Sequence, residues 1–352
     1  MSGPASSRPR ILHAPADTGG HAYGLSLGER ALGLDSRVAV FAPGRYGYGF
    51  DLDLDAGIDH PVWVRIPRRA RFLRRAVREY DVFHFNHGQT LLTVRQLGRV
   101  FDEAAWLKKR GKTVLVTYQG CDVRPKASCP CRQAHCYAQD RYRGPAAARL
   151  LESADRVFFL NPDLRHWLPG ARFVPYASVD PREVEPSAEP DAGDVVVVHA
   201  PTDEDVKGTP FVVQAVEKLR AEGLPLRLDL VRGVGQSDVL ARIAAGHVLI
   251  DQLLIGWYGA VALEAMALGR PVLAYIREDE PGDNPFGAEL PIVRTSPATL
   301  ERDLRSLVGD RERRLELGRS GRSFVERHHD PRRVARLVLD GIVPLPEPAY
   351  AA

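Results

Sequence analysis

Residues Gly256-Trp-Tyr-Gly-Ala-Val-Ala-Leu-Glu264-Ala-Met-Ala-Leu-Gly-Arg-Pro-Val272 read as a glycine-containing turn, a helix and a helix stop. The spacing predicts a helix over Gly259–Leu268, ended by Gly269 just past the last turn and by Pro271, which cannot continue it. Apolar runs flank the helix, Val248–Asp251 before and Pro271–Tyr275 after. Strand, helix, strand is the repeating unit of a parallel sheet with covered faces.

The same alternation runs outward through the chain. Strands are expected at Arg10–Ala14, Arg37–Phe41, Val62–Ile66, Val82–Asn86, Thr113–Tyr118, Arg156–Leu160 and Arg172–Val174. Helices are expected at Tyr23–Leu32, Leu91–Arg110 and Pro145–Ser153. After a stretch rich in proline and acids, Pro175–Asp194, the pattern restarts with the apolar strand Val195–His199. It continues as helix Pro210–Ala221, strand Leu226–Val231 and helix Ser237–Ala245, and a charged helical tail follows from Ala298 to about Gly341. The fold class is therefore α/β, in two Rossmann-like domains. Residues 1–178 are expected to form the first, 179–194 a linker and 195–335 the second.

With 352 residues the chain exceeds one ordinary core, and 44% hydrophobic with 26% charged residues suits globular domains. A net charge of +3 gives no global field toward nucleic acid. No run of about 18 apolar residues is present, and Met1–Arg10 lacks an apolar signal core. A cytoplasmic location with reduced thiols is the expectation.

Two stretches can carry chemistry. The first amides of the Gly259–Leu268 helix, those of Gly259, Ala260 and Val261, can face an anion at the positive end of the helix dipole. Glu264, one to two turns on, suits a vicinal diol, as on a ribose beside a pyrophosphate; the alternative is a buried helix carrying one stray Glu. The loop His199-Ala-Pro-Thr-Asp-Glu-Asp-Val-Lys207-Gly208-Thr209 leaves the first strand of the second domain, where ligands of open α/β sheets bind. Lys207 offers a flexible charge for a diphosphate, Gly208 a close backbone approach and Thr209 a helix cap.

Together these stretches resemble the donor half of the family-4 retaining glycosyltransferases of the GT-B fold. Lys207 matches that family's Lys, and Glu264 in Leu-Glu-Ala-Met-Ala matches the second Glu of its "Glu, seven residues, Glu" motif. The likeness extends to Val174-Pro-Tyr-Ala-Ser-Val-Asp180 and to the tail Gly321-Arg-Ser-Phe-Val-Glu-Arg-His-His-Asp330. It implies two domains facing each other across a cleft, with 336–352 a segment returning to the first. The activity implied is transfer, with retention, from a nucleoside-diphosphate sugar (UDP first among the nucleotides) to a hydroxyl acceptor. Two departures stand out. Gly256 replaces the first Glu, which implies a different sugar contact, a substitute acid such as Asp251, or lost activity, and Asp203, Glu204 and Asp205 crowd the Lys207 loop.

The resemblance also assigns the first half. Asp17-Thr-Gly19-Gly20-His21 is similar to the family's Gly-Gly loop beside the donor phosphates. His87 matches a His-Gly position, and Thr117-Tyr-Gln119-Gly120-Cys-Asp122 matches Thr-x-His-Gly-x-Asp with Gln119 in place of His. His87, Gln119 and Asp122 are the expected catalytic, acceptor-side residues, with Arg124 a phosphate ligand. For Asp122, capping a local turn is an equal reading. Such transfer needs no metal, since Lys, Arg and helix N-termini carry the leaving phosphate's charge.

Cys121, Cys129, Cys131 and Cys136 fall close together, and a structural Zn²⁺ is the alternative to reduced loop thiols. Arg65, Arg68, Arg69, Arg71, Arg74, Arg75 and Arg78 form an amphipathic basic stretch, read first as a solvated face, with a peripheral membrane contact or a phosphorylated acceptor as the alternatives. Two rivals share the architecture: a nucleotide-sugar 2-epimerase, which needs acid and base carboxylates in the cleft, and a non-catalytic nucleotide-sugar-binding partner of another transferase.

Overall fold

The computed structural model describes residues 8–92, 101–129, 134–191 and 193–345, with 134–142 in backbone only. The first sheet has strands β1 (Arg10–Ala14), β2 (Asp35–Val40), β3 (Leu52–Asp53), β4 (Val82–Asn86), β5 (Thr113–Tyr118), β6 (Arg156–Phe159) and β7 (Arg172–Phe173). Their spatial order is β3-β2-β1-β4-β5-β6-β7, and every pairing is parallel. Helices α1 (His21–Ala31), α2 (Val62–Glu79), α3 (Glu103–Lys108) and α4 (Ala134–Ser153) accompany it. Of the expected Leu91–Arg110 helix, Glu103–Lys108 forms α3 with Asp102 as its cap, Leu91 and Leu92 lie in a turn instead, and residues 93–100 lie outside the described residues.

Val62–Ile66 is not a strand. It forms the opening of α2, preceded by Pro61 at the helix cap. Val62, Val64 and Ile66 are apolar at strand spacing, but Val62, Ile66, Arg69, Leu73 and Ala76 recur at helical spacing, and the last three are buried. Packing of that longer stripe decides the matter.

The second sheet contains β8 (Val195–His199), β9 (Leu226–Leu230), β10 (Val248–Ile250), β11 (Val272–Ala274) and β12 (Val293–Arg294). Its order is β12-β11-β10-β8-β9, again all parallel. All five residues of β8 are buried, as a strand covered on both faces requires. Helices α5 (Glu204–Lys207), α6 (Thr209–Ala221), α7 (Gln236–Ala244), α8 (Ala260–Ala267) and α9 (Leu300–Gly309) flank it.

Two helices close the chain. α10 (Arg311–His328) packs on α8, and α11 (Pro331–Leu339) packs on α1 of the first domain. Gly28 makes that crossing possible, because a Cβ there would meet the Pro331 carbonyl oxygen at 2.2 Å. His329, between the two helices, is fully buried and links both halves. Its Nδ1–H donates to the Tyr176 carbonyl at 2.8 Å, and its Nε2 accepts from the Tyr258 hydroxyl at 3.0 Å. Burial pushes its pKa down to about 3, so it holds this link as a neutral ring.

Strand order locates the site. In the first sheet the order reverses between β1 and β4, in the second between β8 and β10. Ligands of doubly wound sheets bind beyond the carboxyl ends of strands at such points. The segments leaving these four strands carry Gly19, His87, Lys207 and Gly259.

Candidate functional site

Those four segments meet at one cleft of about 370 Å³ between the two sheets. From the first domain it is lined by Gly19, Tyr46, Tyr48, His87 and Gln119, and from the second by Lys207, Gln236, Gly259, Ala260, Val261 and Glu264, among others. Both halves of the expected constellation are thus brought together.

Glu264 sits just past the middle of α8, its side chain buried yet turned to the cleft. Its Oε1 accepts from Gln236 Nε2 at 2.8 Å and, more weakly, from the Tyr48 hydroxyl at 3.4 Å. Desolvation raises its pKa to about 7 despite those two donors. A buried carboxylate with acceptor capacity to spare is suited to a diol. Tyr48 belongs to the first domain, and Tyr46 beside it accepts the Gln236 backbone amide at 2.9 Å on its carbonyl oxygen. The β2–β3 loop therefore reaches over to the start of α7. Neither tyrosine was singled out from the sequence, and the Tyr46-Gly-Tyr48-Gly49 run was the available signal.

Lys207 is buried and ion-paired to Asp251 just past β10. The other Asp251 oxygen accepts the Gly259 amide at 2.6 Å. Two expectations need correction here. The Gly259 amide is not open to a ligand, because Asp251 occupies it. Asp251 is not a free substitute for the missing Glu either, being fully committed to Lys207 and Gly259. The amides of Ala260 and Val261 have no partner among the described residues, and both residues line the cleft.

Gly208 also differs from expectation. Its amide is bonded to the Glu204 carbonyl at 3.0 Å, and with φ +75° it turns the chain from α5 into α6. The Thr209 hydroxyl does not cap α6; it donates to His199 Nε2 at 2.9 Å. The acidic residues of this loop leave the cleft clear. Asp203 accepts the Val206 amide at 3.0 Å, and Glu204 pairs with Arg232 at 2.6 Å.

Gly256 has φ +90°, and a Cβ there would meet the Arg277 Cβ at 3.0 Å. The backbone itself, and not only the side chain, departs from a Glu-bearing turn.

On the opposite wall, Gly19 comes close to α8, a Cβ on it lying 3.4 Å from the Ala260 Cβ. Gly20 is buried under the Tyr48 ring, where a Cβ would lie 2.7 Å from the ring edge, so it does not meet a ligand. His87 lines the cleft from a left-handed backbone, φ 58°, a conformation His tolerates better than most side chains. Gln119 lines it too, and its Nε2 is a buried donor without a partner among the described residues. Asp122 does not face the acceptor space. Its oxygens accept the Gln119 and Gly120 amides at 2.8 and 2.7 Å, the turn-capping alternative, and one lies 3.8 Å from His87 Nδ1. Arg124 also lines the cleft, its guanidinium held in place by a bidentate pair with Asp163 at 2.7 and 2.9 Å through Nε and Nη2.

Cys121 is exposed and Cys129 buried against Ile255. Cys131 and the Cys136 side chain lie outside the described residues. Among the described residues no group of three or more His, Cys, Asp or Glu side chains is placed to hold a metal, and no helix is long and apolar enough to cross a membrane.

The sequence matches no family model and no curated protein. Solved structures do match along nearly the whole chain. Sucrose-phosphate synthase from Thermosynechococcus elongatus superposes with a TM-score of 0.62 at 17% identity, over 94% of this chain and 97% of that one. An alpha-glucosyltransferase in complex with UDP-glucose and DNA gives 0.55 at 12% identity, over 91% and 95%. A protein from Listeria monocytogenes described as a UDP-N-acetylglucosamine 2-epimerase gives 0.54 at 14% identity, over 95% of each chain. These likenesses establish the GT-B fold: two Rossmann-like domains facing across a cleft.

Proposed function

We propose that the chain is a glycosyltransferase that takes a sugar from a nucleoside-diphosphate sugar, UDP being the first nucleotide to test, and gives it to a hydroxyl acceptor. One observation carries the reading: Glu264, Lys207 and the open Ala260 and Val261 amides line a single cleft at the start of α8. That spacing suits a ribose diol at one end and a diphosphate at the other. Two structural neighbours are described with UDP-sugars, which agrees with this choice of donor.

In this reading the Ala260 and Val261 amides and the Lys207 ammonium stabilise the departing diphosphate. The leaving phosphate oxygen accepts the proton of the attacking hydroxyl on the same face, so configuration is retained. His87 and the unpartnered Gln119 amide group face the acceptor side, and Asp122 acts by shaping the Gln119–Gly120 turn and by its charge near His87. The chemistry assigned to these residues calls for no metal.

A second reading has one observation in its favour. Gly256, in a backbone unsuited to Glu, removes the carboxylate expected near the transferred sugar. The chain would then bind a nucleotide sugar as partner of another transferase. The epimerase reading is weaker, since among the described residues Glu264 is the single carboxylate along the cleft wall. Screening donor sugars by thermal shift, followed by assay of free nucleotide release with candidate acceptors, separates these. A donor that raises the Tm, loses that effect in Glu264→Ala and turns over supports the transferase. Binding without turnover favours the partner, and an unchanged shift in Glu264→Ala contradicts the ribose assignment.

A further inference from the structure

The most exposed large apolar side chains among the described residues are Ile58 and Trp63, at 85% and 78%. They stand five residues apart, on the loop after β3 and in the first turn of α2. The rest of the outer face of α2 is basic. Taking 100° per residue, Trp63, Pro67, Arg71, Arg74, Arg75 and Arg78 fall within about 120° of the helix circumference, and all six are exposed. Arg71, Arg74 and Arg78 have no acidic partner among the described residues, while Arg75 pairs with Glu79 at 2.9 Å.

Arginine is abundant throughout this chain, so a basic face alone means little. What separates α2 is the absence of balancing acids. α10 mixes its arginines with Glu312, Glu316 and Glu326, whereas α2 carries seven arginines and the single acid Glu79. The acids on the preceding loop are Asp55, tied to Arg68 and His60, and the exposed Asp59. Arg69 is turned inward, over the Phe41 ring and onto the Ala56 carbonyl, and so fixes the loop that presents Ile58. An indole and a branched aliphatic at one end of a cationic strip match the two layers of an anionic bilayer surface: acyl boundary for the apolar pair, headgroup phosphates for the guanidinium groups.

We propose that α2 and its preceding loop dock this protein on an anionic lipid surface, with Ile58 and Trp63 inserted and Arg71, Arg74 and Arg78 on the headgroups. This proposal does not depend on the reaction assigned to the cleft. All strands of the first sheet are parallel, so the start of α2 lies at the carboxyl-end side of the sheet, where the cleft opens.

The test is partition of the full chain onto sonicated vesicles at low salt. Mixed phosphatidylcholine–phosphatidylglycerol vesicles should bind it, and phosphatidylcholine alone should not. Binding should fall steeply with added salt as the headgroup charge is screened. A blue shift of tryptophan emission should accompany binding and vanish in Trp63→Phe. The triple variant Arg71→Glu, Arg74→Glu, Arg78→Glu alters exposed positions only and should bind on the order of a hundredfold more weakly. Its unchanged circular dichroism and Tm would confirm that it folds. Failure of the wild type to bind anionic vesicles, or equal binding by the triple variant, overturns the proposal. So does self-association through this face, seen as a dimer in sedimentation that the same variants abolish without any lipid effect.

Discussion

Two helices begin on opposite walls of the cleft, and a carboxylate meets each of them. At α1 the acid is local. Asp17, four residues before the helix, accepts the Ala22 and Tyr23 amides at 3.0 and 3.2 Å, and the Tyr48 ring covers Gly20 behind it. At α8 the acid arrives from β10. Asp251 takes the Gly259 amide alone and brings Lys207 with it. The local cap consumes the helix start. The imported one consumes a single amide, supplies a cation, and leaves Ala260 and Val261 free for an anion. Two glycine-led turns that look equivalent in sequence are therefore a structural corner and a binding seat.

The contrast can be broken most forcefully at Lys207. Replacement by Met strands the buried Asp251 charge and should lower unfolding stability by about 3 kcal/mol or more. Adding Asp251→Asn should restore most of that loss while donor binding stays abolished. Recovery of binding in the double variant would show that the lysine serves Asp251 only. Denaturant unfolding and calorimetric titration read the two effects.

Glu264 sharpens the same contrast through pH. The folded state holds this proton more tightly than the unfolded chain, since burial lifts the pKa from 4.5 to about 7. Its contribution is therefore a penalty, absent below about 4.5 and growing until the pH passes about 7. Glu264→Gln should gain roughly 2–3 kcal/mol at pH 8 and nothing at pH 4. Donor binding runs the other way. The ionised form receives the ribose hydroxyls, so the affinity of a UDP-sugar should weaken up to about tenfold per unit below pH 7. A flat profile would remove the carboxylate from the site.

Gly256 asks whether the turn into α8 can be returned to the pattern it resembles. Gly256→Glu should cost about 1–3 kcal/mol through its positive φ and should not raise turnover. The smallest effect belongs to the other helix. Asp17→Ala removes a cap worth about 1 kcal/mol and should leave donor affinity within about twofold. A large loss of affinity there would make the two helix starts equivalent after all.

Much of this was legible in the sequence. Fully covered parallel strands are short apolar runs, so β8 and the strands around α8 declared themselves. Helix starts and stops near Gly259 and Gly269 did so through their backbone needs. The misread stretch, Val62–Ile66, shows the limit of a short window in which period 2 and period 3.6 coincide. The edge strands β3 and β12 span two residues each and have no period to read. Glu264 and Lys207 were recognisable because each stands in a local pattern. The Lys207–Asp251 pair was not, since its partners lie 44 residues apart and meet only because β8 and β10 are neighbours. Tyr48 was missed for a related reason: its partner Glu264 belongs to the other domain. Gly256 read as a lost side chain, whereas φ +90° shows a changed backbone.

A crystal soaked with a UDP-sugar tests the central claim most directly. The account predicts diphosphate oxygens within hydrogen-bond reach of the Ala260 and Val261 amides and of Lys207, with the ribose diol on Glu264 in place of the Tyr48 hydroxyl. A diphosphate bound elsewhere, with the start of α8 empty and Tyr48 still on Glu264, would contradict it.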